Sequence, residues 1–180
     1  MKKLKLDFNA KQIAKLGVFS ALSFALTFFE FPIFPLVPYL KLDFSNVFVL
    51  IGGFSMGTIY GVIILVIKEA LCLLKTTTVV GQLANLILGL CFTLVPFILY
   101  EYKRSFKRAV IGLIIGSILV SFISLLTNRF ITFPLFMPKT FIEEFEKVWY
   151  LIILFNVIKA VLVSIITVII YKRVKNLLNF

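Results

Sequence analysis

Residues 155–166 read FNVIKAVLVSII, and inside this apolar run Asn156 and Lys159 stand three residues apart. That spacing puts both on one face of a helix. A lysine in the middle of hydrocarbon costs about 2.5–3.5 kcal/mol on insertion scales unless it is paired or meets water. Snorkelling is hard here, because Lys159 lies about 11 residues, roughly 16 Å, from either end of its apolar segment. Asn156, one turn above, can both donate and accept. Two arrangements resolve the lysine. In one, a polar pocket open from outside gathers Asn128, Asn156 and Lys159 around an acceptor-rich ligand. In the other, Lys159 makes a structural ion pair with Glu69 or Asp43.

Other polar residues recur inside apolar stretches. Ser117, Ser121, Ser124 and Asn128 form a stripe on one helical face. The serines are expected to bond to carbonyls of their own helix, whereas the Asn128 amide cannot be fully satisfied so locally. Gly81, Asn85 and Gly89 share another face, which offers bare backbone beside an amide to a flat ligand or a second helix. Lys68 and Glu69 are adjacent, and side chains about 100° apart on a helix are not expected to face each other. The chain has no His, and Cys72 and Cys91 lie in apolar segments without CxxC spacing. Nothing supplies a metal site, a Cys–His nucleophile or a carboxylate pair on one helix, so an enzyme is not expected.

These residues must be held by a membrane bundle. The 180-residue chain is 61% hydrophobic with a mean hydropathy of +1.09, well above the ordinary soluble range. Six apolar segments run over about 11–30, 44–55, 57–74, 82–101, 108–127 and 148–171. With the N-terminus in the cytoplasm, 12 Lys and Arg fall inside. They are Lys2, Lys3, Lys5, Lys11, Lys15, the 103–108 cluster, Lys172, Arg173 and Lys175. Five fall outside, namely Lys41, Lys75, Arg129, Lys139 and Lys147, as the positive-inside rule requires. The fold class expected is an all-α integral membrane protein, a six-transmembrane-helix bundle with cytoplasmic N- and C-termini. It forms a single transmembrane domain over 1–180, with an uncleaved first helix and no ATPase of its own. The net charge of +11 comes in short clusters suited to topology and lipid headgroups, not to nucleic acid.

Two connections stand out. FPIFPLVPYLKLD, 31–43, has three prolines and is too apolar to be simply solvated, so it should lie over something as a lid or at the lipid interface. NRFITFPLFMPKTFIEEFEKVW, 128–149, is similar, and its EEFEK piece suggests a short amphipathic helix. Small residues at spacings of three or four, Ala14, Gly17, Ala21 and Ala25, stripe the first helix, and Gly53, Gly57 and Gly61 repeat every four. Such stripes serve either internal packing or docking of another membrane subunit.

The pieces YLKLDFSNV, LVIKEAL, VGQLANLILG, LTNRFITFPL and FNVIKAVLVSII, in this order over nearly the whole chain, resemble the substrate-binding S component of an energy-coupling factor (ECF) transporter, of the riboflavin-specific type. The resemblance implies a six-helix bundle that captures riboflavin from outside as a substrate, with no cofactor. The loop after the first helix would cap the site. The partners implied are an ECF coupling membrane protein and two ABC-type ATPases, and Ala14, Gly17, Ala21 and Ala25 would face that module. The substrate-binding residues implied are Leu40, Asp43, Lys68, Gly81, Asn85, Asn128, Asn156 and Lys159. The role of Glu69 stays open. The alternatives are an S component for another vitamin and a structural subunit without a ligand. Thiamine would call for more carboxylates and Trp than this chain, with Trp149 alone, provides.

Overall fold

A computed structural model describes residues 9–75 and 79–178, with side chains through Arg173. Lys2, Lys3 and Lys5, and the side chain of Lys175, lie outside the described residues. The long helices are α1 (Ala10–Leu26), α4 (Val79–Tyr102), α5 (Phe106–Thr127) and α7 (Phe141–Leu178). Among the described residues four stretches are long and apolar enough to cross a membrane: Ala10–Phe29, Val79–Tyr102, Phe106–Phe136 and Phe141–Arg173. The protein is therefore an all-α, multi-pass membrane protein. Helices α2 (Asn46–Met56) and α3 (Thr58–Cys72) are shorter.

The outer faces of the bundle are as apolar as its core, as lipid contact demands. On α5, Ile114, Ile118, Phe122 and Leu126 point outward one turn apart. On α7 the buried face is Ile152, Phe155, Asn156, Ala160, Val163, Thr167 and Tyr171, with Leu154, Val157, Val161 and Ile165 opposite. Asn156 thus faces the interior. Asn9 caps α1 by accepting from the Gln12 N–H at 2.9 Å, and Ser105 caps α5 through the Arg108 N–H.

Helices α2 and α3 fold back on each other at Gly57. Its φ of +116° and ψ of 167° belong to a region that only glycine enters cheaply. The glycine repeat around it serves packing. A Cβ at Gly53 or Gly61 would stand 2.2 or 2.4 Å from the Phe97 ring of α4, and one at Gly61 would lie 2.9 Å from Gly53 Cα. Pro96 lacks the N–H that would bond the Phe92 carbonyl, and α5 closes over this spot because Gly112 and Gly116 have no side chain to clash there.

One sequence expectation is corrected here. The stretch 128–149 is not a long loop with a separate EEFEK helix. Helix α5 passes through a wide turn, Asn128–Thr132, into the short α6 (Phe133–Phe136). After four residues α7 begins at Phe141, so EEFEK forms its first turns. Pro134 sits at the start of α6, where its missing N–H is not needed. The 31–43 connection does cover other elements. Its ends pair as a two-stranded antiparallel ribbon, β1 (Phe31–Pro32) with β2 (Lys41–Leu42). Val37 at its tip is wholly buried in a cluster with Phe133, Phe145, Val148 and Ile152, and Tyr39 meets Phe133 edge-on at 6.2 Å.

Candidate functional site

Where the ribbon, α2, α3, α4, α5 and α7 meet, a cavity of about 330 Å³ opens to one side. That volume falls within the usual range for small-molecule sites. Leu40, Asp43, Lys68, Gly81, Asn85, Asn128, Asn156 and Lys159 all line it. Apolar surface comes from Leu40, Leu88, Phe92, Phe136, Phe155 and Val163.

The inner wall is a charged chain. Lys159 Nζ lies 2.6 Å from Asp43 Oδ2, and 5.9 Å from the Phe155 ring centroid. Asp43 Oδ1 accepts from the Ser45 N–H at 2.9 Å and from the Ser45 hydroxyl, a local turn that sets up the start of α2. Lys68 Nζ donates to Ser45 Oγ and Asn46 Oδ1, both at 3.1 Å. It also lies 2.6 Å from Glu69 Oε1. The expectation that Lys68 and Glu69 do not face each other is therefore wrong. The 100° rule describes where side chains leave the helix, and two long flexible stems in a buried space can still curl together. Glu69 Oε1 takes no aligned hydrogen bond besides this ionic contact. Burial pushes the Asp43 carboxyl up, but Lys159 and then Lys68 outweigh it and hold the group well below the usual carboxylate range.

The two lysines differ in what they have left to give. An ammonium has three donors. Lys68 donates to Ser45 and Asn46 and has its charge faced by Glu69, 2.6 Å away. Among the described residues Lys159 makes one polar contact, to Asp43, and keeps two donors. So the ion pair and the polar pocket are both present: Lys159 is paired and still faces the cavity.

The amides behave alike. Asn128 Nδ2 donates to the Ser124 carbonyl at 2.8 Å, and Asn156 Nδ2 to that of Ile152 at 2.9 Å. Asn128 is thus half satisfied by its own helix, in line with the expectation that its amide cannot be fully satisfied so locally. Among the described residues neither Oδ1 receives a protein donor, so each remains an acceptor. Ser117, Ser121 and Ser124 bond to carbonyls of α5, as expected.

The mouth holds a feature that sequence reasoning missed. Glu30, just before β1, takes Lys41 of β2 at 3.0 Å and Lys75, beyond α3, at 2.9 Å. Lys75 also donates to the Thr27 carbonyl and lies 5.2 Å from the Phe28 ring centroid. This triad ties the covering ribbon to the ends of α1 and α3. Ser45 and Asn46 were also missed, although an Asp-x-Ser before an apolar run is a recognisable helix-start pattern. On α1, Ala14, Gly17, Ala21 and Ala25 all face outward, and the space beside Gly17 is open.

A family model described as the substrate-specific component of ECF transporters matches residues 11–171. The chain belongs to that family. It is therefore a transport subunit and not an enzyme. The riboflavin transporter RibU of Staphylococcus aureus is 34% identical over 184 residues, covering 99% of this chain and 97% of its own. The riboflavin transporter FmnP of Bacillus subtilis is 26% identical, with 93% of each chain covered. A solved S component of a bacterial ECF transporter superposes with a TM-score of 0.82 at 36% identity, covering 94% of this chain and 98% of that one.

Proposed function

We propose that this protein captures riboflavin from the extracellular side as the substrate-binding subunit of an ECF-type importer. The observation that carries the reading is Lys159, held by Asp43 in the cavity wall with two donors unspent. The Oδ1 acceptors of Asn128 and Asn156 line the same cavity. Riboflavin presents what such a wall recognises. Its ring carbonyls and nitrogens accept, its imide N–H donates, and its ribityl hydroxyls do both. Its dimethylbenzene edge needs apolar cover, which Leu40, Phe92, Phe136 and Phe155 supply. The names of the S. aureus and B. subtilis relatives favour the same ligand.

In this reading α1, α2, α3, α4, α5 and α7 make six passes in one transmembrane unit with both termini in the cytoplasm. Riboflavin is the substrate and no cofactor is needed. Ala14, Gly17, Ala21 and Ala25 form the face that meets the coupling protein, which two ABC-type ATPases drive. Leu40, Asp43, Gly81, Asn85, Asn128, Asn156 and Lys159 shape the binding site, and Lys68 acts from behind by fixing Ser45 and Asn46.

The test is a fluorescence titration of detergent-purified protein with riboflavin, competed by excess thiamine. Saturable quenching that thiamine leaves untouched supports the reading. Quenching relieved by thiamine, or none, refutes it.

A further inference from the structure

Each lysine lining the cavity already faces a carboxylate. Lys159 is 2.6 Å from Asp43, and Lys68 is 2.6 Å from Glu69. Lys41 and Lys75 share Glu30 at 3.0 and 2.9 Å. The four inner charges sum to zero, and only the mouth carries an excess of one positive charge. Glu69 is buried and, among the described residues, is the one carboxylate within ion-pair distance of Lys68.

We propose that Glu69 determines ligand charge: by cancelling Lys68 it keeps the inner wall neutral, so the cavity takes an uncharged flavin and rejects one carrying a phosphate. This rests on the riboflavin reading. A phosphate monoester carries about −1.5 to −2 charge at neutral pH. Moving it out of water is costly unless a free cation meets it. In the inner wall, a cation that turned to the phosphate would leave its carboxylate buried and unpaired, a second cost. Removing the Glu69 charge frees Lys68 electrostatically and leaves the wall at +1. Glu69 acts through Lys68 and is a specificity-setting residue without having to touch the ligand.

The experiment compares riboflavin, riboflavin 5′-phosphate and the neutral riboflavin 5′-acetate by fluorescence titration of detergent-purified protein. The wild type should bind riboflavin and the acetate alike and the phosphate at least about tenfold more weakly, a difference of about 1.4 kcal/mol. Glu69→Gln should narrow the gap between riboflavin and its phosphate by about tenfold. Lys68→Gln, which leaves Glu69 uncompensated, should widen it. The double variant should return it to the wild-type value. A structural role alone would weaken all three ligands in parallel and leave the ratios fixed. A gap unchanged in both single variants while riboflavin still binds overturns the proposal. So does a wild type that rejects the acetate as strongly as the phosphate, since size would then be the cause. That second comparison needs no variant to fold. If the wild type binds none of the three, the riboflavin reading itself falls and this proposal with it.

Discussion

Replacing Lys159 with Met separates what the residue does for folding from what it does for binding. Methionine keeps most of the apolar stem and removes the ammonium. Asp43 then loses the cation 2.6 Å away, while Lys68 stays on Ser45, Asn46 and Glu69 and acts on Asp43 only at longer range. Removing one partner of a buried pair costs about 3–5 kcal/mol. The pair is partly open to the cavity, with side-chain exposures of 18% and 13%, so the lower end of that range applies. Binding loses hydrogen bonds from a charged donor, each worth about 1.5–3 kcal/mol, which is a factor of about 10 to 150 in Kd per bond. The companion variant Asp43→Asn with Lys159→Met removes both charges. It should recover most of the stability, because no unpaired charge remains, while riboflavin binding stays weak. Thermal melting followed by Trp149 fluorescence, beside riboflavin titration, reads both quantities. Full recovery of affinity in the double variant would refute the reasoning, because Lys159 would then matter only as the partner of Asp43.

Other consequences follow from the same geometry. Gly53→Ala puts a Cβ 2.2 Å from the Phe97 ring and should lower stability by about 1–3 kcal/mol, seen as a lower melting temperature. Gly57→Ala forces a side chain into a φ of +116° at a cost of about 1–3 kcal/mol, while the riboflavin Kd of the folded fraction stays near wild type. Glu30→Gln loosens the covering ribbon from Lys41 and Lys75. Exposed pairs of this kind are worth about 0–1 kcal/mol each, so with two pairs lost stopped-flow measurement should show riboflavin leaving at most about 30-fold faster. Asp43 and Glu30 both have carboxyl groups held below their ordinary values, Asp43 by Lys159 and Lys68 and Glu30 by Lys75 and Lys41, against burial that pushes each up. Groups depressed in the folded state contribute stability that is fully present above the unfolded carboxylate range and lost as pH falls below it. Melting temperature should therefore be flat from neutral pH down to about pH 5 and drop below about pH 4, and Asp43→Asn should flatten that drop.

Much of this was legible in the sequence because lipid makes a polar residue conspicuous. Asn156 and Lys159 could be assigned to one inward face from spacing alone, since an apolar helix leaves them no other place. The same holds for Asn128 at the end of the serine stripe. The apolar 31–43 stretch signalled a cover because so many buried-type residues cannot lie in water. What was hidden depends on contacts between distant positions. The Lys159–Asp43 pair joins residues 116 apart, and periodicity within one helix can only offer Asp43 as a candidate. The Glu30 triad exists because the ribbon register sets Lys41 opposite Pro32. The Lys68–Glu69 contact was misjudged because helical geometry fixes Cβ directions and not the ends of long side chains. The prolines at 134 and 138 read as a broken loop, yet Pro134 falls where a helix start tolerates it.

The most direct measurement is the visible absorption spectrum of the protein purified from cells grown with riboflavin, followed by titration of the ligand-free protein to find the stoichiometry. The predicted result is a flavin band, one riboflavin per chain, lost in Lys159→Met. A colourless protein that leaves added riboflavin fully fluorescent would contradict the assignment of this cavity to riboflavin.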